Sequence, residues 1–262
     1  MYQNVMPRPF LGIYVLNRLP LVKDSTRASV PTTDRVYLDV PHYRQQRSLS
    51  CEMAALRMAA QYHKVTHTET ELVNLLPTDT SQPKLSGGKV VWADANRVFA
   101  GNIRGWQFYC NGLSHYPYRS RSKGWGYGIH ALGIAEVATK IGLQAEVFDK
   151  VDYVYKILDG GDVAIVLVPC SGRSTSRKWS WYTPKGIAVS VIDGEHAIVV
   201  RGYNAQKVWV NDPLGRVSVY DRIVFERAFA LLSMGVRISP PAPVVPVVPV
   251  RRRRPPFPPG RR

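Results

Sequence analysis

Three side chains of this 262-residue chain, Cys51, His196 and Asp212, are of the types that make a working thiol nucleophile. Acyl transfer through sulfur needs a thiolate, a base that takes and returns a proton, a group that orients the base, and donors for the oxyanion. Free cysteine titrates near ~8.5 and is mostly thiol at neutral pH; a helix N-terminus or a nearby imidazolium lowers that value. Cys51 opens CEMAALRMAAQYH, rich in the helix formers Ala, Leu and Met. Cys51, Ala55, Met58 or Ala59, and Tyr62 share one helical face. A thiolate at that first position would face the positive end of the helix dipole. A cysteine on such a face is ordinarily a small buried hydrophobe, so its neighbours carry the argument.

His196 begins the apolar run AIVVRGY, and Asp212 follows the run VWV. If the two runs pair as a hairpin, the ends carrying His196 and Asp212 come together. An acceptor on one imidazole nitrogen then fixes the tautomer and leaves the other to take the thiol proton. An edge-strand histidine and a turn aspartate before Pro213 are the plainer readings. Asn211 is a second acceptor, although strand alternation points it to the opposite face. Gln45 lies in the polar loop RQQRSLS before Cys51; its amide could donate to an oxyanion together with the Cys51 N–H. Gln46 next door is its rival.

Those residues need elements to hold them. VYLDV reads as a short strand, followed by the loop and the Cys51 helix. Thr68 and Glu71 fit a capping box opening a second helix, which Pro77 ends. Residues 78–128 read as a long ordered loop bordering a cleft. HALGIAEVATKIG is helical to Gly142; LQAEVF is a strand, VDYVYKILDGG a short helix, and DVAIVLVP a buried strand. GEHAIVVRGY, KVWVNDP and RVSVY follow as antiparallel strands, and DRIVFERAFALLS as a closing helix. Trp92, Trp106, Tyr109, Tyr116, Tyr118, Trp125 and Tyr127 fall in the long loop with Arg104, Arg119, Arg121 and Lys123. Packing within the loop is the plain reading; lining substrate subsites is the alternative.

Composition sets outer bounds. The chain is 45% hydrophobic, enough for one sizeable core. Its net charge of +16 favours anionic partners: nucleic acid, a cell-wall polymer or a membrane surface. Arg251, Arg252, Arg253, Arg254, Arg261 and Arg262 concentrate part of that charge in a proline-rich stretch, which cannot be helix or central strand. Three regions result: an arm over 1–35, a domain over 36–238, and a disordered tail over 239–262. Cys51, Cys110 and Cys170 form no CxxC pair, and whether Cys110 and Cys170 bond is open. His63 and His67 lie four apart, but across a turn. No metal and no cofactor is expected. No stretch approaches the roughly 20 apolar residues of a membrane span. Residues 9–22 lack the pattern of a clear signal peptide, so a cytoplasmic or phage-borne protein is slightly favoured over a secreted one.

LDVPHYRQQRSLSCEMAALRMAAQYH resembles the opening of C39-like peptidase domains, with a strand ending in Val-Pro, a Gln loop and a Cys-led helix. GEHAIVVRGYNAQKVWVNDPLG is similar to the second half of their site. WADANRVFAGN, GYGIHALGIAEVATKIG and DVAIVLV also resemble that family's connecting segments. The resemblance implies an α+β, papain-like fold, in which a Cys-bearing helix packs on a small antiparallel sheet carrying the histidine and aspartate. It implies Cys51 as nucleophile, His196 as base and acid, Asp212 as orienter, Gln45 as oxyanion donor, and a peptide or protein as substrate. Glu52 departs from the Cys-Gly of many relatives, and a carboxylate beside the thiol would oppose the thiolate if it pointed inward. The expected function is therefore peptide-bond hydrolysis through an acyl-enzyme. A cell-wall peptidase or amidase, or an inactive relative used for binding with a basic anchoring tail, are the alternatives.

Overall fold

The computed structural model describes residues 35–110, 123–170 and 176–243. The arm over 1–35 lies outside these residues except for Arg35, as do Tyr116, Tyr118, Arg119 and Arg121 and the tail beyond residue 243. The described residues belong to one compact unit.

Five helices and fifteen strands occupy the described residues. In chain order they are β1 (Val36–Tyr37), α1 (Cys51–Tyr62), α2 (Glu69–Leu75), β2 (Thr78–Asp79), β3 (Lys84–Ser86), β4 (Lys89–Val91), β5 (Phe99–Ala100), β6 (Trp106–Gln107) and β7 (Trp125–Gly126). Then come α3 (Ala131–Lys140), β8 (Gln144–Phe148), α4 (Val151–Asp159), β9 (Val163–Pro169), β10 (Lys178–Tyr182), β11 (Ala188–Ile192), β12 (Glu195–Tyr203), β13 (Lys207–Asp212), β14 (Arg216–Asp221), α5 (Arg222–Phe229) and β15 (Gly235–Ser239). The fold is α+β.

The main sheet runs β14-β13-β12-β9-β15-β8, with β1 added on β12, and every pairing in it is antiparallel. β9 is buried at all its positions because helices cover both faces of the sheet. On one face α1, α2 and α3 pack Met53, Leu56, Leu72 and Ile134 against Ile165, Leu167, Ala197 and Val199. On the other, α4 and α5 pack Ile157, Leu158, Phe225 and Phe229 against Val166, Ile198 and Val210. Successive strand residues point to opposite faces, which is why Ala197 and Val199 join one cluster and Ile198 and Val200 the other.

A second sheet, β11-β10-β4-β3, closes over a third core of Trp92, Phe108, Trp125, Tyr127 and Trp181. This corrects the long-loop reading of 78–128: six short strands lie there, and Trp92, Trp125 and Tyr127 are core residues rather than subsite lining. The Trp181 indole N–H donates to the Ala93 carbonyl, which keeps a polar atom satisfied inside that core. The proline-rich tail was expected to start at Ser239, but Ser239 is the last residue of β15, paired with Gln144. No described helix is long and apolar enough to cross a membrane.

Candidate functional site

Cys51 is the first residue of α1, and Ser50 before it is not a side-chain cap. The Ser50 hydroxyl turns away and donates to Glu69 Oε1 at 2.8 Å. Glu69 is fully buried at the start of α2 and holds the whole loop: its Oε2 accepts the Gln46 N–H at 2.8 Å, and its Oε1 accepts Arg47 at 3.0 Å. The Gln45 N–H donates to the Pro213 carbonyl at 2.8 Å, which ties this loop to the corner that carries Asp212. Glu69 therefore positions the loop that leads into Cys51. Its only sequence mark was an acid beside a capping residue, too common to single out.

β12 and β13 pair with Val199 opposite Asn211 and Val200 opposite Val210. Alternation sets Asp212 on the face of Val208 and Val210, where His196 also falls with Ile198 and Val200. The His196 Nε2–H donates to Asp212 Oδ1 at 2.7 Å, and both side chains are buried. Asn211 lies on the other face: its amide donates to the Val40 carbonyl at 2.8 Å and its Oδ1 accepts from Arg201. Asp212 Oδ1 also accepts the Leu214 N–H at 2.8 Å, and Arg216 lies 3.9 Å from Oδ2. Burial opposes charge on Asp212, but the His196 hydrogen bond and charge, the Leu214 amide and Arg216 outweigh it and hold its pKa below the ordinary value. A carboxylate fixed there keeps the imidazole proton on Nε2 and leaves the Nδ1 lone pair free.

The tip of α1 meets β12 at the His196–Ala197 link, where the Ala197 backbone hydrogen-bonds the Cys51 sulfur. That bond and the helix dipole favour a thiolate. They are outweighed. Burial pushes the Cys51 thiol well above its ordinary range, and the nearby Glu52 and Glu195 carboxylates push it the same way. Glu52 points inward, 1% exposed, and its Oε2 accepts the Cys51 S–H at 3.3 Å. The resting sulfur is therefore a thiol, so the helix-tip argument for a standing thiolate does not hold in this site. Glu195 was not singled out in the sequence because a charged residue at a strand start reads as solvated.

Gln45 keeps its amide on its own loop, donating to the Arg47 carbonyl at 2.8 Å and the Ser48 carbonyl at 3.0 Å. To serve an oxyanion it would have to give up one of these bonds. Gln46 engages the site through its backbone N–H on Glu69. His130 is the N-cap residue of α3 without a side-chain cap bond; its Nδ1 lies 2.8 Å from Asn96 Oδ1, and burial lowers its pKa to about 4. His42 contacts the Asp212 carbonyl at 3.0 Å. All three cysteines are free; the Cys110 sulfur accepts from Arg177 at 3.1 Å. Among the described residues no three His, Cys, Asp or Glu side chains are grouped to hold a metal ion.

The Peptidase_C39 like family model matches residues 37–233. The chain belongs to that family. It is 25% identical over 201 residues to the uncharacterized protein YvpB of Bacillus subtilis (strain 168), covering 73% of this chain and 71% of YvpB. A crystal structure of a protein described as a C39-like peptidase from Bacillus anthracis superposes with a TM-score of 0.64 at 23% identity, covering 78% of this chain and 97% of the other. That likeness extends to the fold. The peptidase domain of Streptococcus ComA, a bi-functional ABC transporter, is more distant, with a TM-score of 0.44 at 14% identity over 77% of this chain and 98% of that domain.

Proposed function

We propose that this C39-like chain is a cysteine peptidase in which Cys51 attacks the scissile carbonyl, His196 moves the proton, and Asp212 orients His196. The observation that carries the reading is the 2.7 Å bond from His196 Nε2 to a buried, ionised Asp212, at the strand end that receives the tip of the Cys51 helix. With Nε2 engaged, Nδ1 is the nitrogen left to take the Cys51 proton as sulfur bonds to the carbonyl carbon. Nδ1–H then protonates the leaving amine, and a water deprotonated by the same nitrogen hydrolyses the thioester. The Cys51 N–H at the helix start is available in kind as an oxyanion donor, with Gln45 as its candidate partner.

Mass-spectrometric profiling of a peptide library with wild type and Cys51→Ala tests this. Cleavage products with wild type alone support the reading; the same products from both proteins reject Cys51 as the nucleophile. One observation favours a second reading, that the domain binds peptides without cleaving them: Glu52 accepts a hydrogen bond from the Cys51 S–H in the resting site. Retention of library peptides by wild type without any product would favour that reading.

A further inference from the structure

Glu52 and Glu195 meet in a closed corner beside Cys51. They are 1% and 4% exposed, and Gly128 forms the wall between them. A Cβ on Gly128 would sit 2.5 Å from Glu52 Oε1 and 2.7 Å from Glu195 Oε2, so the two carboxyls crowd one face of that residue. Gly128 also has φ of +149° and therefore stays glycine on both counts. The donors are divided unequally. Glu52 Oε1 accepts the Ile129 N–H at 2.8 Å, and Oε2 accepts the Cys51 S–H. No described group donates to either oxygen of Glu195. Two buried carboxylates this close cannot both ionise, and the one without donors is the one that keeps a proton.

We propose that Glu52 and Glu195 share one proton, carried by Glu195 as a neutral acid, and that the charge left on Glu52 holds the Cys51 proton on sulfur. Glu52 is then a positioning residue and Glu195 its partner. Uptake of a second proton from solvent neutralises Glu52, ends its hold on the S–H, and frees that proton to pass to His196 Nδ1. The catalytic consequence rests on the peptidase reading; the proton sharing itself does not. The groups facing the pair are Cys51 from α1, His196 from β12, Tyr127 after β7, and Cys170 at the end of β9. Of these only His196 can be a cation, and its Nε2 is engaged by Asp212. Burial first, and then the Glu52 charge, push Glu195 well above the ordinary carboxyl range, in agreement with this assignment.

Two measurements test the pair without using peptide cleavage. Infrared spectroscopy at neutral pH should show the carbonyl stretch of a protonated carboxyl in wild type, lost in Glu195→Gln. No such band in wild type, or a band that survives the substitution, overturns the proposal. Iodoacetamide labelling, followed on the peptide containing Cys51, should be about tenfold faster at neutral pH in Glu52→Gln, the change expected for one pKa unit. An unchanged rate in folded Glu52→Gln overturns the hold on the thiol; should that variant not fold, the wild-type infrared band still decides the shared proton. A shifted labelling rate without library cleavage would sink the peptidase reading alone, and cleavage with an unshifted rate would sink this inference alone.

Discussion

A carboxyl enclosed without donors keeps its proton when the chain folds, and this makes Glu195 a measurable cost at neutral pH. Its folded pKa lies well above the ordinary value of 4.5, so the native state binds more protons than the unfolded state once pH exceeds that value. Stability then falls as pH rises, by about 1.4 kcal/mol per pH unit per proton, until the folded group itself ionises. Gln has the shape of the neutral acid and does not titrate. Glu195→Gln should therefore melt close to wild type below about pH 4.5 and at increasingly higher temperature than wild type above it. Thermal melts across pH read the divergence; parallel curves would show that Glu195 is ionised in the fold. Asp212 has the opposite sign. Its lowered pKa contributes stability above the ordinary carboxylate range that is lost as pH falls through the folded value.

At the scale of elements, the site depends on one carboxylate that does no chemistry. Glu69 sits at the start of α2, a helix closed by the Thr68–Glu71 capping box, and reaches across to the loop before Cys51. Glu69→Ala should cost about 3–5 kcal/mol, because it leaves the mostly buried Arg47 guanidinium without its carboxylate, with only the Thr70 hydroxyl still accepting from it. Urea unfolding measures the loss, and hydrogen exchange at the Gln46 amide should rise with it. An undiminished midpoint would show that the loop holds itself. The capping box was legible in the sequence because it is a local exchange of hydrogen bonds between residues three apart. The bond from Glu69 to Ser50 was not, because nineteen positions separate its partners and nothing in either type marks the pairing.

At the scale of the whole molecule, the chain segments that form periodic runs were legible. The Cys51 helix, the helix ending before Gly142, and the three strands around His196 and Asp212 all stand where their apolar periods place them. Alternation pointed Asn211 away from His196, and His196 bonds Asp212 while Asn211 bonds the Val40 carbonyl. The aromatic second sheet was hidden because its strands are only three to five residues long and are separated by turns carrying Gly and Pro. β15 was hidden because five residues between the closing helix and a proline run carry no strand signal of their own, and its last residue, Ser239, read as the start of the tail, although the strand inserts between β8 and β9. That insertion sets where the basic tail can be removed. Gln144 donates to the Pro240 carbonyl, so truncation after Pro243 should leave the sheet intact while deleting the arginines at 251–254, 261 and 262. If the tail is the anion-binding element, the truncated protein should elute from a polyanion column at lower salt than the full chain, with an unchanged melting temperature. Equal elution would place anion binding, if any, on the domain.

In the proposed peptidase mechanism Cys51 and His196 act as one unit, and rapid quenching after mixing with an activated peptide ester tests this most directly. The intact mass should rise within the first turnover by the acyl group, mapped to the peptide containing Cys51, and His196→Ala should form that adduct far more slowly. Ester turnover with no adduct on Cys51, or an adduct formed equally fast without the imidazole, would contradict the account.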